Sequence, residues 1–218
     1  MINKIKQSRS EKILLIFLIS LFFFSAVSFV LIKNKCLFVK DYNLNKLQFS
    51  KPENIAVLEV SCGNVIIELY PEVSPNSVER FKMLIENKEY DDVAFHRVIK
   101  DVLVQSGDIQ YGKKENINYA KIGNGKSKYG TIKSETDNKF LFEKGTVALA
   151  RNYKRDTEDT QFFILLTDAP LFEGEYSPVG KVKYGLSALE KIKHDDKTEY
   201  ILRPDFIKSF RMLNFLIN

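Results

Sequence analysis

The sequence is poor in the residues that build metal centres and disulfide cages: it holds two cysteines and two histidines in 218 residues. Cys36 and Cys62 are too few for a disulfide framework, and with only His96 and His194 beside them no zinc-ligand spacing is reached. Neither a structural metal nor a cofactor is expected. The residues before Cys36 are Lys33-Asn34-Lys35, where a lipid-attachment signal carries apolar and small residues, so its thiol reads as a bystander. With 6 prolines and 10 glycines the chain is neither collagen-like nor a linker, and at 44% hydrophobic and 28% charged it is not a disordered tail. Charge of one sign is lacking too. The 33 basic and 28 acidic residues leave a net +5, evenly mixed and without a basic stripe or stacking motif, so nucleic acid is excluded as an expected partner.

One long hydrophobic run is present. Ile13 to Ile32 (ILLIFLISLFFFSAVSFVLI) is 20 residues without a charge, flanked by Lys12 and by Lys33 and Lys35, and a run of that length spans a bilayer. A cleaved signal peptide is the alternative, with Ala26-Val27-Ser28 as a loose cleavage site. Cleavage there leaves Phe29-Val30-Leu31-Ile32 exposed at the new terminus, which favours an uncleaved anchor. Lysines lie on both sides of the span, so the positive-inside bias is weak. A first span before a long soluble part commonly delivers that part across the membrane. The expected layout is a cytoplasmic segment 1–12, an anchor 13–32, a polar tether 33–53 and one folded domain 54–218.

Within that domain, Ile55–Val60 and Val65–Tyr70 are short β-branched runs joined by Ser61-Cys62-Gly63-Asn64, a hairpin pattern. After Pro71, Val78, Phe81, Leu84 and Ile85 recur at helical spacing behind Pro75, a residue suited to a first helical turn. Strand patterns return at 95–99, 102–105, 145–150, 161–166, 180–182 and 206–212, with a second helix at 186–192 and a long polar loop from Gly107 to Lys144. Many strands, two helices and no βαβ alternation predict a mainly β fold, a closed antiparallel barrel capped by two helices and preceded by the transmembrane helix.

Three blocks carry a family resemblance: GNVIIELYPEVSPNSVERF in the opening hairpin and helix, FHRVIKDVLVQSGD at 95–108, and GTVALARNYKRDTEDTQFFILL at 145–166, which leads into PLFEGEYSPVGKV. Together they resemble the cyclophilins, peptidyl-prolyl cis/trans isomerases, over about residues 55–212, and the spacing from Ala150 to Gln161 is closer to bacterial members. The resemblance implies an enzyme acting on proline-containing segments of client polypeptides, as a monomer without a cofactor. With the anchor, it implies a bacterial inner-membrane protein whose catalytic domain faces the periplasm and assists folding there. Departures are plain. Lys100-Asp101-Val102-Leu103 stands where members have Pro-Gly-Phe-Met, Leu171 stands where Trp is common, and Tyr176 where His is common. Those changes leave open a different class of function, a proline-binding or holdase module that captures peptides without turning them over.

The chemistry itself limits what is needed. An X–Pro bond resists rotation by about 18–20 kcal/mol because the nitrogen lone pair is delocalised into the carbonyl. A 90° twist localises that lone pair, so a donor aimed at the prolyl nitrogen finds its partner only in the transition state. Arg97 suits the task, being permanently charged and rich in N–H donors. No proton changes hands, which lets a chain with two histidines be an enzyme. By the resemblance, Phe163, Leu103 and Phe172 line a hole for the proline ring and Val102 enlarges it. Gln105 and the backbone at Ala150 and Arg151 grip the peptide, Leu171 lies on the rim, and Tyr176 either closes the pocket or sits beside it. Alternation along the strand turns His96 away from Arg97, so its imidazole is expected to be buried. Lys113, Lys114, Lys121, Lys126 and Lys128 read as a solvated loop.

Overall fold

The β-branched runs after Asn54 form the expected hairpin: β1 (Ile55–Val60) pairs antiparallel with β2 (Gly63–Leu69), Ile55 opposite Glu68 and Val60 opposite Gly63. In this computed structural model residues 8–137 and 139–216 are described, with the backbone alone at 32 and 33. The chain divides into two units, Met1–Phe38 and Val39–Asn218.

The first unit is one helix. α1 (Arg9–Lys33) has 25 residues, about 37 Å at 1.5 Å per residue against a hydrocarbon core of about 30 Å. It is long and apolar enough to cross a membrane. Ser8 caps it by accepting from the Glu11 amide while Glu11 accepts from the Ser8 amide, a reciprocal pair that fixes where the helix starts.

The second unit is built on β1, β2, β3 (Arg97–Ile99), β4 (Leu103–Ser106), β5 (Thr146–Leu149), β6 (Phe162–Leu165), β7 (Pro178–Tyr184) and β8 (Ser209–Met212). These form one antiparallel sheet in the order β3-β4-β6-β5-β7-β2-β1-β8. The expected barrel is therefore a curled eight-stranded sheet. Its two ends meet through bridges such as Ala94 to Phe206, in the segments entering β3 and β8, rather than through a ladder. The second expected helix is shorter than its pattern: α3 spans Leu186–Leu189, because Lys191 and Ile192 donate to the carbonyls three residues back and tighten the turn.

α2 (Pro75–Glu86) buries Val78, Phe81, Leu84 and Ile85 on one face, as the spacing predicts. Phe81 packs with Tyr90, Phe162 and Phe210 at ring-centroid distances of 5.2 to 5.6 Å, and the buried Tyr90 hydroxyl donates to the Thr160 carbonyl at 2.8 Å. The helix lacks a side-chain cap from Ser74. Glu135 of the long loop supplies one instead, accepting from the amides of Asn76 at 3.1 Å and Ser77 at 2.8 Å. Burial raises the Glu135 pKa, but the hydrogen bonds from Ser77 and Asn76 outweigh it and hold the carboxyl below its ordinary 4.5. A carboxyl held down in the folded state stabilises above its unfolded pKa and loses that contribution as the pH falls through the lowered one. Glu135→Gln is therefore expected to cost about 1 kcal/mol at pH 7. In paired urea titrations the gap from the parent should narrow as the pH falls below 4.5; a gap that does not change with pH would remove the carboxylate from the account.

Two expectations are corrected in this unit's surroundings. The bystander reading of Cys36 is overturned: Cys36 and Cys62 are both disulfide-bonded. The stretch expected as a tether is also partly folded, since Tyr42, Leu44, Leu47 and Phe49 pack against Ile55, Val57, Ile66 and Leu213, and Tyr42 lies 5.2 Å from the Tyr184 ring.

Candidate active site

Register alone assembles the central row. Arg97 of β3 lies opposite Gln105 of β4, Gln105 opposite Phe163 of β6, and Phe163 opposite Ala148 of β5. Because side chains alternate across a strand, these four share one face, and the next row on that face holds Ile99, Leu103 and Leu165. Phe162 points the other way, into the ring cluster of Phe81, Tyr90 and Phe210. Phe163 faces the site, with Phe172 at 5.6 Å and Tyr176 at 5.1 Å, both edge-on.

An apolar cluster follows from this packing. Leu103, Phe142, Ala148, Phe163 and Leu165 are its buried members, and Val102, Ala150, Phe172 and Tyr176 pack against them half-buried. Leu171 is 90% exposed on the adjoining turn, a rim position rather than a wall. Tyr176 belongs to the aromatic wall, 4.9 Å from Phe172, under the Arg151 guanidinium at 5.1 Å. The Arg151 side chain is already engaged, donating to the Glu175 carbonyl at 2.8 Å and carboxylate at 2.7 Å. The Ala150 amide donates to the Gln161 carbonyl at 2.8 Å, so of its two backbone groups the carbonyl is the one left for a peptide. Val102 follows Asp101, which holds a left-handed φ of 58° at the tip of the β3–β4 turn; Asp tolerates that region better than most residues with a side chain.

Beside this cluster, a polar chain runs outward from Arg97. Its Nη1 donates to Gln105 Oε1 at 3.1 Å, Gln105 Nε2 to Gln161 Oε1 at 3.0 Å, and Gln161 Nε2 to the Gly123 carbonyl at 3.0 Å. Gly123 is placed by the buried Asp108, whose carboxylate accepts from the amides of Gln110, Tyr111, Gly123 and Gly125. A cleft of about 440 Å³ opens here, between Gln105 and Ala150 on one side and Asn124, Lys126, Thr131 and Asp159 of the long loop and its neighbour on the other. Lys126 of the expected solvated group thus lines a cleft. Gly107 lets the loop leave β4, with φ +93° and a hypothetical Cβ only 2.5 Å from the Thr160 carbonyl. His96 is buried as alternation predicts, and burial pushes its pKa below 6.5 despite the nearby Asp108 carboxylate, so it is neutral at pH 7.

A family model described as cyclophilin type peptidyl-prolyl cis-trans isomerase/CLD matches residues 55–212, almost the whole of the sheet-bearing unit. The chain belongs to the cyclophilins. Among curated relatives of this cyclophilin, a probable peptidyl-prolyl cis-trans isomerase of Brucella suis is 38% identical over 159 residues, 72% of this chain and 81% of its own length. A peptidyl-prolyl cis-trans isomerase of Acinetobacter baylyi is 30% identical, over 66% of this chain and 73% of its own. Among solved structures, a Cryptosporidium parvum cyclophilin crystallised in the presence of the dipeptide Ala-Pro superposes with a TM-score of 0.62 and 25% identity, covering 72% of this chain and 98% of its own. The activity of this cyclophilin is peptidyl-prolyl cis–trans isomerisation, and the relatives support a bacterial origin.

Two residues of the site were absent from the sequence reading as candidates. Gln161 has a faint signal, since it sits two positions before Phe163 and alternation puts both on one face. Glu199, whose Oε2 accepts from Arg97 Nε at 2.8 Å, has none, being 102 positions from its partner.

Proposed function

We propose that the row Arg97–Gln105–Phe163 is the catalytic row of a single-pass, membrane-anchored isomerase acting on extended X–Pro segments of polypeptides that fold outside the cytoplasm. The observation that carries the site is the strand register that puts a permanent cation, Arg97, in one row with Gln105 and Phe163 at the edge of the apolar cluster of Leu103, Phe163, Phe172 and Tyr176. The proline ring sits over Phe163 and Leu103 against Phe172, while the Ala150 carbonyl and Gln105 hold the preceding backbone. Rotation of the carbonyl side then brings the localised lone pair of the prolyl nitrogen toward the guanidinium. The donor gains its partner at the top of the barrier and lowers it there. The neighbour crystallised with Ala-Pro supports a proline dipeptide as the minimal occupant.

The location rests on two observations. α1 is apolar over a bilayer's thickness, and both cysteines are disulfide-bonded, a state that oxidising compartments sustain and the cytosol reverses. A bacterial inner membrane with the domain on the periplasmic side satisfies both, with the domain acting as a monomer.

The deciding experiment uses the full chain in detergent with an Ala-Pro-containing tetrapeptide, followed by protease-coupled kinetics and by NMR exchange between cis and trans forms. Catalysis is expected in both. A peptide that shifts on binding without exchange between its forms would replace the isomerase reading by the capture module. For location, the chain is expected to resist carbonate extraction and to carry no maleimide-reactive thiol before reduction. A soluble form beginning near Phe29 would replace the anchor by a cleaved signal.

A further inference from the structure

A lone guanidinium on a three-residue strand has freedom that catalysis cannot use. Arg97 is 29% exposed on its side chain and carries five N–H donors. Its neighbour Gln105 engages one donor of Nη1, which leaves the plane free to swing about that contact. A second acceptor comes from the far end of the sequence. Residues 199–201 run along the open edge of β3: Val98 donates to the Glu199 carbonyl at 2.8 Å, Ile201 donates to the His96 carbonyl at 3.0 Å, and Tyr200 bridges Arg97. Backbone bonds on both sides of Glu199 fix where its side chain starts, and its Oε2 accepts from Arg97 Nε at 2.8 Å.

We infer that Glu199 is a positioning residue for Arg97, holding the guanidinium by its Nε edge and so fixing the plane in which its remaining donors lie. The inference rests on the catalytic reading of Arg97 given above. Two acceptors on different nitrogens define the orientation of a rigid planar fork, whereas one defines only a pivot. The pair is not there for stability: Glu199 is 51% exposed, and partly exposed ion pairs contribute little to folding. Glu199 lines a cleft with Val98, Ile99 and Lys100, apart from the one beside Gln105 and Ala150. What it controls is the fraction of time the donor points where the lone pair appears, which enters kcat and leaves ground-state binding alone.

Glu199→Ala in the full chain should lower kcat about fivefold with KM within twofold, which is ~1 kcal/mol at 1.36 kcal/mol per tenfold. Glu199→Gln keeps an oxygen acceptor in place and should restore at least half of the parent kcat. The NMR signal of the Arg97 Nε–H should be protected from solvent exchange in the parent and in Glu199→Gln, and unprotected in Glu199→Ala. A thermal midpoint unchanged within about 2 °C separates this from damage to the fold. A kcat within twofold of the parent for Glu199→Ala, or a Glu199→Gln variant as impaired as the alanine one, overturns the inference. Arg97→Ala is run alongside: if it loses activity while Glu199→Ala does not, only the positioning role falls, and if it keeps activity within threefold, the reading of Arg97 falls first and takes Glu199 with it.

Discussion

Arg97→Ala is expected to lower kcat/KM by about 10² to 10³-fold, in line with removing one preorganised transition-state donor worth roughly 3–4 kcal/mol. The size follows from the setting. Arg97 stands at the edge of the apolar cluster rather than in bulk solvent, between two acceptors that keep its plane fixed, so none of the stabilisation is spent on reorienting the donor during the twist. The fold should not register the change strongly, because the side chain packs no core and its ion pair with Glu199 is partly exposed. A fall of that size with an unchanged thermal midpoint is the supporting pair of results. Activity within threefold of the parent would remove Arg97 from the mechanism.

The second large effect separates two adjacent phenylalanines. Phe162 touches the rings of Phe81, Tyr90 and Phe210 in a fully buried cluster joining α2 to β6 and β8. Truncating it leaves a cavity no neighbour can fill, so Phe162→Ala is expected to cost about 3–5 kcal/mol, a fall in thermal midpoint of roughly 6–20 °C. Phe163 is buried too, but on the opposite face, where its partners are Phe172 and Tyr176. Phe163→Ala removes the surface on which a proline ring rests, and should lower kcat/KM by more than tenfold with a smaller loss of stability. Chemical denaturation and tetrapeptide kinetics on the two variants read the contrast. If Phe163→Ala is the less stable protein and retains turnover, the faces have been assigned the wrong way round.

That assignment marks how far the sequence could be read. Alternation says that Phe162 and Phe163 face opposite ways, but both belong to an unbroken apolar run, Phe162 to Leu165, so the pattern does not say which faces the core. The opening hairpin and α2 were legible because β-branched runs, turn residues and a helical stripe are local. Arg97, Gln105 and Phe163 came from motif resemblance, and the register that puts them in one row is a property of strand pairing. Long-range polar contacts left no trace. Glu135 caps a helix 58 positions away, and Glu199 meets an arginine 102 positions away, each looking like an ordinary surface carboxylate in the chain. The cysteines differ for another reason: the residues around Cys36 point to no partner, whereas both cysteines are disulfide-bonded.

The glutamine pair between Arg97 and Gly123 has a sense of direction. Each primary amide offers an oxygen on one side and an N–H on the other, and here both oxygens look toward the arginine while both nitrogens look toward the loop. Neither amide can turn over alone, since a single flip would set oxygen against oxygen or nitrogen against nitrogen. The guanidinium at one end and the loop carbonyl at the other thus read the same orientation, much as the two ends of a key share one way up. In this way the loop fastened by Asp108 keeps Gln105 presenting an oxygen to the arginine and never a competing N–H.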